Sequence, residues 1–304
     1  MQRPPGLATF ALNRQNMRLQ NGYIQATIEA KGAELKSLKR IGDDHEYMWR
    51  ADPAYWAKTS PILFPIVGAL KENTYQYEGR IYELPRHGFA RDHVFDATRL
   101  ADNRAEFILK DTIETRQRYP FAFQLTLRYE LVENTLYCTY VVHNPHHSER
   151  LLFSVGGHPA FAVGGTGDAG YEDYFLEFPD DDELHCHLLE RNLIADEVEL
   201  IPLDRHRLPL RHSLFYRDAL VLKSLGSHTI TLKNHINGRG VRFSRDGFPY
   251  VGIWAAKDAD FVCLEPWCGI ADSAAHNQRF EEKEGIQRLA AGESWQRTWE
   301  VTCL

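Results

Sequence analysis

Short runs of alternating apolar and polar residues recur from one end of this chain to the other, and a period of two is the signature of a half-buried β-strand. The pattern opens in YIQATIEAKGAELKSLKR, from Tyr23. It returns in RIYEL (80–84), FQLTLRYELVE (123–133), TLYCTYVVHN (135–144), YFLEF (174–178) and ALVLKSL (219–225). TITLKN (229–234), VRFSR (241–245), YVGIWAA (250–256) and SWQRTWEVTC (294–303) complete it. Turn chemistry separates many of the runs, at Glu78-Gly79, Glu133-Asn134, Asn237-Gly238, Asp246-Gly247 and Ala291-Gly292. LPLRHSLFYRD (208–218) is ambiguous and accommodates a short helical turn, and no long amphipathic helix is predicted. Many short strands punctuated by turns predict an all-β sandwich or barrel. No linker, repeat or charge block divides the chain, so residues 18–304 are expected to form one domain behind a loosely ordered 1–17 lead.

Composition narrows the partners. The net charge of −7 disfavours a nucleic-acid surface, which needs a basic stripe, and suits a small neutral ligand. No apolar run approaches the ~18 residues of a membrane span, and the N-terminal segment lacks the pattern of a signal peptide; a cytoplasmic location is expected. Five cysteines, at 138, 186, 263, 268 and 303, are read as reduced and mostly buried thiols. The spacing of Cys263 and Cys268 fits no common zinc motif. GGTGDAG (164–170) matches neither a phosphate loop nor a dinucleotide fingerprint and reads as a surface loop. No cofactor is expected.

Three segments place a strong acid–base group beside chain-bending residues between strands. In PRHGFAR (85–91), His87 sits in a Gly/Pro turn with Arg91 four residues on; taken alone, such a histidine is as readily an ordinary exposed residue. In SVGGHPAF (154–161), His158 follows two glycines and precedes Pro159 at the end of the apolar run LLFSV. In VCLEPWCGIAD (262–272), Glu265 ends a buried run, Pro266 stops it, and Trp267 offers an aromatic face for a sugar. A carboxylate there is costly unless it is paired or functional, and burial raises its pKa toward that of a useful base. One carboxylate and two histidines suit the opening of a cyclic hemiacetal, with acid and base on opposite sides of the pyranose and no metal or covalent nucleophile, and they suit other acid–base reactions as well.

The strings PILFPIVG (61–68), LPRHGFARD (84–92), GGHPAF (156–161), CLEPWCGIAD (263–272) and EKEGI (282–286) resemble the galactose mutarotase-like, aldose 1-epimerase family, closest to its LacX-type branch, from about residue 19 to the C-terminus. The resemblance implies a β-supersandwich of large antiparallel sheets and an isomerase acting on a sugar. It puts the general base on Glu265, the general acid on His158, a ring-steadying histidine on His87, and a hydroxyl-binding aspartate on Asp218. In the branch acting on hexose 6-phosphates the arginine of the HGFAR motif holds phosphate, which would fall to Arg91. Relatives often carry an arginine just after FPIVG; here Ala69 stands there, leaving Lys71, Arg86 or Arg91 to anchor the sugar.

His143, His146 and His147, and the pair His185 and His187, tempt a metal reading but lack a further ligand; no metal site is expected. PDDDEL (179–184) reads as a solvated loop, and Trp254, Trp295 and Trp299 as core or sheet-face residues. The competing functions are a hexose-6-phosphate epimerase and a non-catalytic carbohydrate-binding module on the same scaffold. A glycosidase would need a second well-placed carboxylate.

Overall fold

The computed structural model describes residues 16–42, 45–164 and 170–304. Most of the 1–17 lead and of the 164–170 glycine loop lies outside them. The alternating runs become strands close to where the pattern puts them: Gln124–Val132, Thr135–His143, Tyr174–Glu177, Thr229–Asn234, Tyr250–Trp254 and Ser294–Cys303. The hairpin joining Gln124–Val132 to Thr135–His143 turns on Glu133, at φ 49°.

Two large antiparallel sheets dominate. One runs, in spatial order, Arg207–Pro209, Tyr174–Glu177, Thr229–Asn234, Gly240–Ser244, Ser294–Cys303, Thr135–His143, Gln124–Val132, Arg104–Lys110, Asp96–Ala101. The other runs Leu193–Pro202, Glu183–Glu190, Leu220–Leu222, Tyr250–Trp254, Phe261–Cys268, Val155–Gly157, Ile62–Leu63. A smaller sheet, Met17–Gln20, Ile24–Glu29 and Glu34–Arg40, joins the same apolar core. The described helix is short: a six-residue α-helix, Ile113–Arg118, and single 3-10 turns that include His212–Phe215 in the ambiguous stretch. The Glu183–Glu190 and Leu193–Pro202 hairpin carries little alternation in its second strand, whose residues are mostly exposed, and so its sequence signal is weak.

The core fills the space between the two large sheets. Phe161, from one, meets Phe243, from the other, at 6.3 Å between ring centres. Phe243 packs on Trp299, whose indole N–H donates to the Tyr140 hydroxyl at 2.7 Å. The chain at Gly157 passes close over this pair, since a Cβ there would lie 2.5 Å from the Tyr140 hydroxyl. Phe161 is paired with Val262, so Val262 and Leu264 share its inward face, and Cys263, Glu265 and Trp267 project from the opposite one. All five cysteines are buried and none forms a disulfide.

Candidate functional site

Glu265 lies within Phe261–Cys268, a strand whose residues are all buried. Its position relative to His158 follows from pairing. The chain at 155–162 runs along this strand in two pieces: Gly156 opposes Trp267, and Ala160 opposes Cys263. The intervening Gly157-His158-Pro159 cannot continue the ladder, because proline lacks the N–H. It arches over Glu265, bringing His158 Nε2 to 3.3 Å from Glu265 Oε2.

His87 arrives from a different loop. It has φ 68° and Gly88 has φ 70°. A Cβ on Gly88 would sit 2.3 Å from the Phe64 carbonyl oxygen, so this tight turn requires glycine. That carbonyl accepts from the Phe89 and Ala90 amides at 3.0 and 3.1 Å, fastening the HGFAR loop to the FPIVG segment. The His87 and His158 rings meet edge to face at 5.9 Å. His87 Nδ1 accepts from the Gly68 amide at 3.1 Å, and Arg86 Nε aims at Nε2 at 3.1 Å. A neutral imidazole has one acceptor nitrogen, so only one of these donors can be satisfied at a time.

Around these three residues lies a cavity of about 550 Å³, lined also by Trp56, Arg86, Arg91, Arg217, Asp218 and Trp254. Its size is that of a small-molecule site. Asp218 reaches it at φ 118°, a conformation that non-glycine residues avoid, and one carboxylate oxygen accepts from the Ala219 amide at 2.7 Å. Arg91 lines the same wall, one guanidinium nitrogen donating to the Arg86 carbonyl at 2.8 Å.

Two sequence-predicted residues are elsewhere. Trp267 is 6% exposed and packs with Leu63, Val67 and Ile270. Its ring fills the space over Gly252 and Gly156, where a Cβ would come within 2.3 and 2.7 Å of it. It supports the strand and does not face the cavity. Lys71 turns its amine toward the His276 carbonyl, 3.2 Å away, and is absent from the lining. The aromatic wall is built instead by Trp56, 4.9 Å from the His158 ring, and Trp254, 5.6 Å from it. Alternation in YVGIWAA was a signal that Trp254 faces one side; nothing in ADPAYWAK marks Trp56. The HCH pair does not gather a third ligating group among the described residues.

Burial sets the protonation of the site. Glu265 is 1% exposed, and desolvation pushes its carboxyl well above the usual range, with Arg86 opposing. Burial, then Arg86, pulls His158 down to about 3, and the same two causes hold His87 well below an ordinary histidine.

Residues 15–302 match the family described as aldose 1-epimerase. The plasmid-encoded protein LacX of Lactococcus lactis is 30% identical over 301 residues, covering 95% of this chain and 99% of LacX. Among solved structures, a galactose mutarotase related enzyme from Lactobacillus acidophilus is 33% identical with a TM-score of 0.90, covering 95% of this chain and 97% of its own. A galactose mutarotase-like protein from Lactobacillus casei is 29% identical with a TM-score of 0.87, covering 95% and 100%.

Proposed function

This chain belongs to the aldose 1-epimerase family, and from that premise we propose that it interconverts the α and β anomers of an aldose by acid–base opening and closing of the hemiacetal ring. The observation that carries the reading is the Glu265–His158 pair, in contact at 3.3 Å and shifted in opposite directions, at a cavity of sugar size.

The pair's spacing revises one expectation. At 3.3 Å no pyranose fits between the two groups, so acid and base do not stand on opposite sides of the ring. They address, from one side, the two oxygens that share C1: the anomeric hydroxyl and the ring oxygen. The shifts leave the pair's one proton on Glu265 at rest; once that proton has passed to His158, Glu265 takes the hydroxyl proton as the C1 carbonyl forms, the bond from C1 to the ring oxygen breaks, and His158 delivers its proton to that oxygen. Rotation about C1–C2 and the reverse transfers complete the exchange. In this scheme the donor of His87 and Arg86 left unsatisfied finds a sugar oxygen, Asp218 binds hydroxyls, and Trp56 and Trp254 cover an apolar sugar face. Arg86 takes the anchoring place that Ala69 leaves empty. Lys71 and Trp267 act only through the backbone segments they hold in place.

Two measurements test this. Anomer exchange followed by NMR on free and phosphorylated aldoses should show enzyme-dependent exchange; tight binding of an aldose without exchange would make the chain a sugar-binding module instead. The pH profile of kcat/KM should show a plateau wherever the pair holds a single proton. It falls on the acid side as His158 takes a second proton, near 3, and on the basic side as Glu265 loses the last one, above the usual carboxylate range. An acid limb near 6.5, the value of an unshifted histidine, would contradict the pairing.

A specific observation favours a phosphorylated substrate as a second reading: Arg86, Arg91 and Arg217 line one cavity, although Arg217 also meets Glu199 at 3.1 Å. Arg91→Met should then lower kcat/KM for an aldose 6-phosphate by ~10–160-fold, as loss of a charged hydrogen bond of ~1.5–3 kcal/mol implies, and spare the free sugar. Equal losses on both substrates would remove phosphate from Arg91.

A further inference from the structure

Cys263 and Glu265 stand two apart on one strand and leave the same face, while His158 arches over them from the segment paired on either side. One ligand atom of each, the Cys263 sulfur, a His158 ring nitrogen and a Glu265 carboxylate oxygen, lies within 4.8 Å of the other two. All three residues are buried; His158 Nδ1 has no hydrogen-bond partner among the described residues, and the Glu265 Oε2 contact with His158 Nε2 at 3.3 Å falls short of hydrogen-bond geometry. Mutarotation gives the sulfur nothing to do. A thiol sulfur, an imidazole nitrogen and a carboxylate oxygen gathered at one buried point are what a cation of the zinc class requires. We infer that Cys263, His158 and Glu265 form a binding site for a divalent cation of the zinc class, and that this cation inhibits the enzyme by occupying its acid–base pair.

The chemistry balances. Thiolate and carboxylate supply two negative charges to a neutral imidazole, so a dication leaves the buried cluster neutral, and binding releases the protons those ligands held. Tetrahedral zinc bonds of ~2.0–2.3 Å place neighbouring donors about 3.3–3.8 Å apart. The Glu265–His158 separation of 3.3 Å already meets this, and the widest gap closes with a movement of about 1 Å. The thiolate and imidazole select zinc over magnesium or calcium, which prefer an all-oxygen shell. His158 and Glu265 line the cavity, whereas Cys263 is not part of its lining, so the cation enters by the substrate's route. Its fourth position opens toward the sugar, and sugar and cation compete for Glu265.

The inhibitory half rests on the proposed anomer exchange; the site itself does not. Cobalt(II) titrated into the intact protein should give a thiolate-to-cobalt charge-transfer band that zinc abolishes by displacement. Zinc should inhibit exchange, with magnesium inert and excess sugar protective. In Cys263→Ser, and in Cys263→Ala should serine destabilise the strand, the band should vanish and zinc inhibition weaken by at least ~10-fold, as loss of a metal-site residue implies, with exchange in metal-free buffer unchanged. A band absent from the wild type, or persisting in both variants, overturns the site. Zinc inhibition undiminished in both variants overturns its regulatory role. Should no aldose be turned over, the cobalt titration still decides the site.

Discussion

Glu265→Gln is expected to abolish anomer exchange while leaving the fold intact. The amide keeps the shape of the carboxyl but cannot take a proton at neutral pH, and general acid–base catalysis is worth ~10²–10⁴-fold; the residual rate should approach the spontaneous one in an NMR exchange assay. His158→Asn should lose a comparable factor, and the double variant little more than either single one, because groups that act as a unit fail together. His87→Asn should lose less, since His87 positions the sugar. Near wild-type exchange in Glu265→Gln would take the residue out of the mechanism. Stability gives an independent readout. The fold raises the Glu265 pKa above its unfolded value, so the folded state binds that proton more tightly, and the stability it confers is full below the unfolded pKa and lost as pH rises through the folded one. Glu265→Gln removes that dependence, and its melting temperature should gain on the wild type as pH rises.

Lys283→Met is expected to destabilise the protein by ~3–5 kcal/mol, the range for breaking a buried ion pair from one side. The Lys283 amine is wholly buried, 2.8 Å from Asp272 Oδ1 and 2.6 Å from the Ile270 carbonyl. Asp272 is 1% exposed and its other oxygen accepts from the Lys71 amide at 3.0 Å. The Asp272 amide in turn donates to the Ala69 carbonyl at 2.9 Å. This network clamps the segment leaving Glu265 onto the FPIVG segment, where a Cβ on Gly68 would fall 2.5 Å from that of Ala271. Removing the amine strands a buried carboxylate. Thermal unfolding should drop by roughly 5–8 °C, and Asp272→Asn combined with Lys283→Met should recover part of it by removing the stranded charge. A loss below about 1 kcal/mol would mean the pair is not desolvated as the structure has it.

The sequence alone determined the β architecture, because strand alternation is a local property: the hairpin Gln124–Val132 to Thr135–His143 and the long strand Ser294–Cys303 are legible in their own residues. It also marked His158 and Glu265, since a titratable group between a buried run and glycine or proline is an anomaly visible without coordinates; His87, in a Gly/Pro turn with no such run, stood out only by the resemblance of its motif. Which aromatic rings face the cavity, and how acid and base are spaced, only tertiary structure decided. Trp267 and Glu265 leave the same face of one strand, yet Gly252 and Gly156 leave a slot that draws the indole into packing, while Trp56 comes from a loop with no period to betray it. Lys71 carries a free-looking charge in the sequence, but the fold turns it to the His276 carbonyl. The 3.3 Å contact of His158 and Glu265 arises because one segment pairs twice with the same strand and must arch between the pairings, a constraint written in register between residues about 100 positions apart in the chain and in none of their neighbours.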